Sequence, residues 1–238
     1  MTRLSVNVNK IALLRNSRGG NIPDVVAFAR TCEQLGADGI TVHPRPDGRH
    51  IRYADVYALR DALGVELNVE GYPGPAFLEL IERVRPTQVT LVPDPPDALT
   101  SDHGWDIPQH QGFLLEVVQR LRTIPVRVSI FIDPEPQQVR AAKEVGAEAV
   151  ELYTGPYAKV YLTNPEEAIR PYRHAAEVAA EVGLRLHAGH DLNLENLRFL
   201  RQHLPNLAEV SIGHALIADA LYLGLAETLR RYRQALTL

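Results

Sequence analysis

Two short runs, GITVH at residues 39–43 and ELNVE at residues 66–70, decide the fold of this chain. In each run polar and apolar side chains alternate, which is the pattern of a β-strand with one apolar face. Residues 53–63, which lie between the runs, carry a helix-compatible pattern. Two strands joined through a helix form a βαβ unit, in which the strands are parallel. The stretch therefore predicts a parallel sheet with polar side chains on one face.

The same alternation of strand and helix is found before and after this stretch of the chain. The predicted strands are Leu4–Val8, Gly39–His43, Glu66–Glu70, Gln88–Pro93, Arg127–Asp133, Ala149–Thr154, Arg185–Gly189 and Glu209–Gly213. Helical patterns cover Asp24–Leu35, Tyr53–Leu63, Pro75–Val84, Pro136–Val145, Pro165–Val182 and Leu194–His203, and another starts at Ala215. Eight repeats in 238 residues favour a closed (β/α)8 TIM barrel over an open doubly wound sheet. No linker or composition shift divides the chain, so residues 1–238 are predicted to form a single catalytic domain.

The strand face expected to point into the barrel is polar in nearly every strand. Its members are Asn7, Thr41, His43, Asn68, Glu70, Thr90, Ser129, Glu151, His187 and Ser211. Barrel interiors are usually filled by branched apolar side chains. Buried polar groups destabilise a fold unless they are paired or used. They could form a hydrogen-bond network that only supports packing, but their position near the strand ends favours a catalytic mouth, where barrel enzymes keep their chemistry.

The bulk composition limits the possible partners. A net charge of −4 gives no reason to expect a nucleic-acid partner. The N-terminus lacks the apolar run of a signal peptide, and no apolar stretch approaches the length of a membrane span. The single cysteine, Cys32, has no internal disulfide partner and lies in a helical pattern, so a buried structural thiol is expected. These features predict a cytoplasmic protein.

The segments after the second and third strands carry groups suited to proton transfer and anion binding. His43 ends a strand, and its ordinary pKa near neutrality suits a general base. Arg45, Arg49 and His50 follow it as cationic donors in a proline-stiffened loop suited to a phosphate or polyol. Glu70 ends the next strand and would share the mouth with His43. Each residue has an alternative interpretation. His43 could be a structural histidine in a solvated basic loop, and Glu70 could be a carboxylate that only accepts hydrogen bonds.

The last strands predict a phosphate corner. Gly189 precedes His190 and Asp191, and Gly213 precedes His214 at the start of the final helix. Glycine lets the backbone approach a ligand, and a helix N-terminus favours an anion, although a tight turn alone would also explain Gly213.

Two other loops could serve the mouth. Arg15, Arg18 and two glycines are predicted to form a flexible cationic loop after the first strand. The proline-rich connection over residues 93–105 is a candidate substrate lid. It carries or adjoins Asp102, His103, Asp106 and His110, but their spacing matches no established ligand set, so no metal site is predicted. Lysine is absent from the strand ends, which argues against a Schiff-base aldolase.

The residues resemble one family along nearly the whole chain. The segments that carry the resemblance are 5–19, 36–45, 49–51, 67–70, 89–93, 129–133, 151–155, 188–190 and 212–215. They are similar, in order, to the motifs of pyridoxine 5'-phosphate synthases. The resemblance implies condensation of 3-amino-2-oxopropyl phosphate with 1-deoxy-D-xylulose 5-phosphate, without a metal or organic cofactor. It also implies a homo-oligomer, commonly an octamer.

The resemblance also implies roles for individual residues. His43 resembles the general base, Glu70 a second acid–base residue, His190 the proton donor and Glu151 a charge-stabilising carboxylate. The residues that resemble substrate-binding positions are Asn7, Arg18, Arg45, His50, Thr100, Gly213 and His214. Many members of the family have Asp-His where this chain has Asn9-Lys10, and Gly where it has Asp191. Asn9, Lys10 and Asp191 are therefore expected to bind substrate, without the role that a histidine would have.

Two other classes of function fit the same residues. One is another phosphosugar-barrel isomerase or lyase that uses the same phosphate corner. The other is a non-catalytic barrel that binds a phosphorylated metabolite. Such a binding protein would have no need for His43, Glu70 and His190 to converge on one point.

Overall fold

A computed structural model describes residues 1–94 and 101–237 and shows a closed barrel of parallel strands. The strands are β1 (Arg3–Asn7), β2 (Gly39–Val42), β3 (Glu66–Gly71), β4 (Gln88–Leu91), β5 (Arg127–Ile132), β6 (Ala149–Tyr153), β7 (Arg185–Gly189) and β8 (Leu207–Ile212). Each strand pairs in parallel with the next, and β8 closes the barrel on β1. The predicted (β/α)8 TIM barrel is confirmed.

Helices surround the barrel. In the described part of the chain they are α1 (Asn9–Asn16), α2 (Val25–Gln34), α3 (Tyr53–Ala62), α4 (Pro75–Val84), α5 (Gln111–Leu121), α6 (Pro136–Glu144), α7 (Gly155–Tyr161), α8 (Pro165–Val182), α9 (Leu197–His203), α10 (His214–Leu223) and α11 (Leu225–Ala235). The sequence did not predict α1, α5 or α7. Helix α1 occupies most of the segment expected to be a flexible loop after the first strand.

Local sequence signals explain several helix ends. The carboxylate of Asp24 caps α2 by accepting a hydrogen bond from the backbone N–H of Ala27 at 2.9 Å. Helices α4 and α6 begin with proline, whose missing N–H costs nothing in the first turn. Helix α8 ends at Gly183, which has a φ of 70° and provides the left-handed cap.

The predicted division of the strand faces is confirmed. Ile40, Val42 and Val69 are fully buried in the apolar layer between strands and helices. Thr41 and Asn68, from the opposite face, are buried inside the barrel. The side chains in the middle of the barrel bond to one another: Thr90 Oγ1 donates to Asn68 Oδ1 at 3.0 Å, and Ser5 Oγ lies 2.7 Å from Thr41 Oγ1. The middle of the barrel is thus a hydrogen-bond network.

An ion-pair cluster closes the N-terminal end of the barrel, and we call it the barrel floor. It comprises Arg3, Glu66, Arg127 and Glu209, which lie near the beginnings of β1, β3, β5 and β8. Arg3 contacts Glu66, and its Nη2 lies 3.0 Å from Glu209 Oε2. Arg127 Nη2 lies 2.5 Å from Glu66 Oε2. The polar interior therefore ends, at the N-terminal side of the barrel, in a cluster of arginine and glutamate side chains.

Two smaller expectations can be compared with the structure. Cys32 is a fully buried free thiol, as predicted, and burial raises its pKa to about 12. Across residues 1–94 and 101–237, none of the helices has the length and apolar character needed to cross a bilayer.

Candidate active site

A cavity of about 310 Å³ opens at the C-terminal end of the barrel. It brings together most of the predicted site residues: Asn7, Asn9, Lys10, His43, Arg45, His50, Glu70, Glu151, His190, Asp191, Gly213 and His214. They come from the ends of β1, β2, β3, β6, β7 and β8 or from the segments that follow those strands. Residues far apart in the chain meet here because all eight strands point the same way.

Two predicted residues lie elsewhere, and a third is outside the described part of the chain. Arg18 is exposed beyond the end of α1 and is not part of the cavity wall. Thr100 lies outside the described residues. Arg15 was expected in a cationic mouth loop, but it is 2% exposed and its Nη1 lies 2.6 Å from Asp55 Oδ1. Its charge is therefore used inside the fold.

His43 and Glu70 form a buried pair in the cavity wall. His43 Nδ1 lies 4.0 Å from Glu70 Oε2. Burial, followed by the positive charges of Arg45 and nearby residues, lowers the pKa of His43 well below its ordinary value. Burial raises the pKa of Glu70 to about 7. At neutral pH His43 is therefore an uncharged imidazole that can accept a proton, and Glu70 can either accept or donate one.

Glu151 enters the cavity from β6 because β7 leaves room for it. A Cβ atom on Gly189 would lie 2.0 Å from Glu151 Oε1, so any other residue at position 189 would displace this carboxyl group. Burial raises the pKa of Glu151 well above its ordinary value, and Glu70 and Glu209 raise it further. The sequence predicted a charge-stabilising carboxylate. The raised pKa favours the protonated form of this group, which can donate a hydrogen bond to developing negative charge.

His190 and Asp191 adopt an unusual backbone conformation after β7. Their φ angles are 80° and 36°, in the left-handed region that costs non-glycine residues about 1–3 kcal/mol each. The imidazole of His190 packs against Tyr153, with ring centroids 5.5 Å apart, and against Phe131 at 6.4 Å. His190 Nδ1 lies 3.4 Å from Asp191 Oδ2, and this contact lowers the pKa of Asp191. Strain at such a point is typical of functional sites.

The loop after β2 differs in one respect from the prediction. Arg45 is buried, and its Nη2 lies 2.7 Å from Asp94 Oδ2. His50 was expected to add a cation, but burial and then the charges of Arg45 and Arg49 lower its pKa to about 4. Its Nδ1 accepts a hydrogen bond from the backbone N–H of Ile51 at 2.9 Å, which leaves the proton on Nε2. His50 is therefore a neutral hydrogen-bond donor.

The end of β1 is tied to the end of β2 by side-chain amides. Asn9 Oδ1 accepts from the backbone N–H of His43 at 2.9 Å, and Asn7 Oδ1 accepts from the backbone N–H of Asn9 at 3.0 Å. Asparagine provides the same acceptor oxygen here that an aspartate would provide. Asn9 thus positions the backbone of His43.

The phosphate corner has the expected local geometry. Helix α10 begins at His214, and no side chain caps its N-terminus, so its first N–H groups are available to a ligand. A Cβ on Gly213 would lie 3.1 Å from Asn7 Cβ, so this glycine also permits close packing against β1.

The cavity wall contains residues that the sequence did not single out as site residues. Arg49, Ser101 and Phe131 are among them. Arg49 was predicted only as part of the cationic loop. Phe131 follows Ser129 by two positions and so shares its inward face, a signal that could have identified it. Ser101 Oγ lies 2.5 Å from Asp94 Oδ2, a contact that no sequence pattern indicates.

Comparison with known proteins places this geometry in a family. A sequence model described as pyridoxal phosphate biosynthesis protein PdxJ matches residues 4–238. A pyridoxine 5'-phosphate synthase from Porphyromonas gingivalis is 56% identical over 238 residues and covers all of both chains. Another from Phocaeicola vulgatus is 54% identical over 236 residues and covers 99% of each chain.

Solved structures that share this fold are more distant. A phosphoribosylanthranilate isomerase from Thermotoga maritima has a TM-score of 0.59 and 15% identity, covering 99% of this chain and 98% of its own. A thiamine phosphate pyrophosphorylase from Pyrococcus furiosus has a TM-score of 0.62 and 11% identity, covering 99% and 95%. These likenesses show only the shared barrel. The relatives named pyridoxine 5'-phosphate synthase have a much higher sequence identity, 56% and 54%, over nearly the whole chain. With the family match over residues 4–238, this shows that the protein belongs to the PdxJ family of pyridoxal phosphate biosynthesis proteins.

Proposed function

We propose that His43, Glu70, Glu151 and His190 perform the acid–base steps of pyridoxine 5'-phosphate synthesis. The chain is a pyridoxine 5'-phosphate synthase, which condenses 3-amino-2-oxopropyl phosphate with 1-deoxy-D-xylulose 5-phosphate and releases phosphate and water. The observation that carries the residue assignment is the buried pair of His43 and Glu70, whose pKa values shift in opposite directions within one cavity. Imine formation, elimination and ring closure are mainly proton transfers, which this arrangement suits.

Each of the four groups has a distinct role in this proposal. Neutral His43 is the general base, and Glu70 exchanges protons with the same region of the substrate. His190 is the proton donor on the far side of the cavity. Glu151, whose surroundings favour its protonated form, donates to oxygen atoms on which negative charge develops.

The binding roles follow from charge and from backbone geometry. The N-terminus of α10, with Gly213 and His214, binds one phosphate. Arg45, Lys10 and the Nε2 proton of His50 bind the phosphate or hydroxyl groups of the other substrate. Asn7, Asn9 and Asp191 line the same cavity and contact substrate hydroxyl or amino groups. Arg18 and Thr100 stay as substrate-binding proposals that rest on the family resemblance.

Product analysis tests this function. The purified protein is mixed with both substrates, and pyridoxine 5'-phosphate is sought by mass and by ultraviolet absorbance. We expect product only when both substrates are present. Turnover of one phosphosugar alone would support a phosphosugar isomerase or lyase, and binding without turnover would support a non-catalytic barrel.

We also propose a homo-oligomer, an octamer by family resemblance, located in the cytoplasm and acting through residues 1–238 as one catalytic domain. Exposed apolar side chains on neighbouring helices support assembly. On α10, Leu221 is 77% exposed and Tyr222 is 90% exposed, and Leu14 on α1 is 55% exposed. Apolar side chains clustered in this way are typical of a surface that a partner covers.

A further inference from the structure

We propose that Thr154 is a positioning residue that holds the His190–Asp191 turn, and with it the His190 imidazole, in its place in the cavity. This inference rests on the proposed catalytic role of His190. Thr154 follows β6 directly, is completely buried, and is not part of the cavity wall. It therefore acts on the reaction only through other residues.

The hydroxyl group of Thr154 faces two backbone carbonyls of the turn. Its Oγ1 lies 2.6 Å from the carbonyl oxygen of Gly189 and 2.5 Å from that of His190. The backbone N–H of Thr154 also donates to the Gly189 carbonyl at 3.0 Å. A hydroxyl has one proton, so the two carbonyls share it.

The turn needs such support because its backbone conformation is unfavourable. His190 and Asp191 both have positive φ angles, which side-chain-bearing residues adopt only when surrounding contacts hold them there. The carbonyl of His190 also accepts from the backbone N–H of Leu192, a contact within the turn itself. Asn196 Nδ2 donates to the carbonyl of Asp191 at 3.2 Å from the far end of the turn. Thr154 provides the contact that ties the start of the turn to β6.

The residue before Thr154 fixes the ring that the turn carries. The imidazole of His190 packs edge-on against Tyr153. The end of β6 thus holds the backbone of His190 through Thr154 and its imidazole through Tyr153. A shift of the turn would move the proton donor away from the cavity without removing any group that contacts substrate.

Kinetics on three variants test this role. Thr154→Val keeps the side-chain size and removes the hydroxyl, Thr154→Ser keeps the hydroxyl, and Thr154→Ala provides a second deletion if the valine variant does not fold. We expect Val and Ala to lower kcat by about 10- to 100-fold, the effect of a misplaced catalytic group, with KM changed less than about twofold. Thr154→Ser should recover most of the lost kcat.

A matched control and a spectroscopic measurement separate positioning from general stability. Thr228 is equally buried, and its Oγ1 donates to the carbonyl of Gly224 at 3.0 Å, remote from the cavity. Thr228→Val should leave kcat unchanged. The proton resonances of the His190 ring, shifted by the neighbouring Tyr153 ring, should move in Thr154→Val and stay in place in Thr154→Ser and Thr228→Val.

The outcomes distinguish this inference from the function on which it rests. If Thr154→Val turns over like Thr228→Val and leaves the His190 resonances in place, Thr154 has no positioning role. The same holds if Thr154→Ser is as slow as Thr154→Val. If His190→Gln retains full turnover, the catalytic role of His190 is wrong, and the ring resonances then decide alone whether Thr154 holds the turn.

Discussion

His43 and His50 lie near each other, with ring centroids 6.2 Å apart, yet their surroundings assign them different tasks. Both are neutral near pH 7 because burial and the neighbouring arginines lower their pKa values. His43 faces Glu70, whereas the Nδ1 atom of His50 is engaged by the backbone of its own loop. We therefore assign proton transfer to His43 and hydrogen bonding of substrate to His50.

Substitution of each histidine by asparagine tests this assignment. Asparagine keeps some hydrogen bonding but cannot exchange a proton near neutral pH. His43→Asn should lower kcat by about 10²- to 10⁴-fold and leave substrate affinity nearly intact. His50→Asn should mainly raise KM. Steady-state kinetics decide, with folding checked by circular dichroism. Normal turnover with poor binding in His43→Asn would make Glu70 the leading candidate for the base.

At the scale of single residues, the sequence predicted the direction of side chains but not their protonation states. The alternation of the strands identified His43, Glu70 and Glu151 as inward-facing, because the direction of a side chain in a strand follows from its position. It could not predict that burial favours the neutral states of His50 and Glu151. Those states depend on burial and on charges brought in from other strands, which the local sequence does not contain.

At the scale of secondary-structure elements, α1 holds the loop that carries Arg49 and His50. The amide nitrogen of Asn16 lies 3.1 Å from the carbonyl oxygen of Gly48, 3.1 Å from that of Arg49 and 2.8 Å from that of His50. The neighbouring Arg15 donates to the carbonyl of His50 at 3.2 Å while it pairs with Asp55. The last turn of α1 is thus a clamp on the loop.

Loss of the amide should loosen this clamp. We expect Asn16→Ala to raise KM by several-fold, because the loop must then be ordered by substrate, while kcat changes little. Asn206→Ala is the matched control, since Asn206 Nδ2 also donates to a backbone carbonyl, that of Ala176 at 2.8 Å. Equal KM values in the two variants would show that the loop holds its conformation without the Asn16 amide.

Helix α1 was not predicted because its stabilising contacts are not local. It has no acidic residue in its first turn and no side-chain cap. Arg15 and the glycines that follow it indicated a flexible cationic loop. The partners that make this segment helical, Asp55 and the carbonyls of residues 48–50, lie more than thirty positions away. Strand positions were easier, because their alternating pattern is local.

At the scale of the whole molecule, the exposed apolar side chains of α10 predict assembly through this helix. Replacing both Leu221 and Tyr222 with lysine should reduce the oligomer to smaller species in sedimentation velocity, because charged side chains would be buried at the contact. Replacing the exposed Leu162 of the α7–α8 connection with lysine is the control. An unchanged sedimentation coefficient in the double variant would exclude α10 from the interface.

The barrel floor should make stability depend on pH. Burial raises the pKa of Glu209 to about 7, although Arg3 opposes the shift. Between pH 4.5, the ordinary value for glutamate, and pH 7, the folded protein keeps a proton that the unfolded chain has released. The contribution of Glu209 to the free energy of unfolding therefore falls as the pH rises through this window, by about 1–3 kcal/mol in total.

Glu209→Gln should remove this contribution. Urea unfolding at pH 5 and pH 7.5 measures it, and the variant should lose less stability between the two values than the unsubstituted protein. Glu144→Gln, at an exposed position of α6, should behave like the unsubstituted protein. An identical pH dependence in Glu209→Gln would mean that Glu209 is already ionised in the folded state.

The fit between Gly189 and Glu151 has a consequence for how this sequence can change over time. A methyl group at position 189 would overlap the carboxyl oxygen of Glu151, so position 189 cannot gain a side chain without displacing the glutamate. An ancestor that exchanged the glutamate for a shorter residue would open space at 189. Any side chain that then filled this space would block the return of the glutamate. Substitutions at one of the two positions therefore restrict later substitutions at the other, and lineages that retain the glutamate should retain the glycine as well.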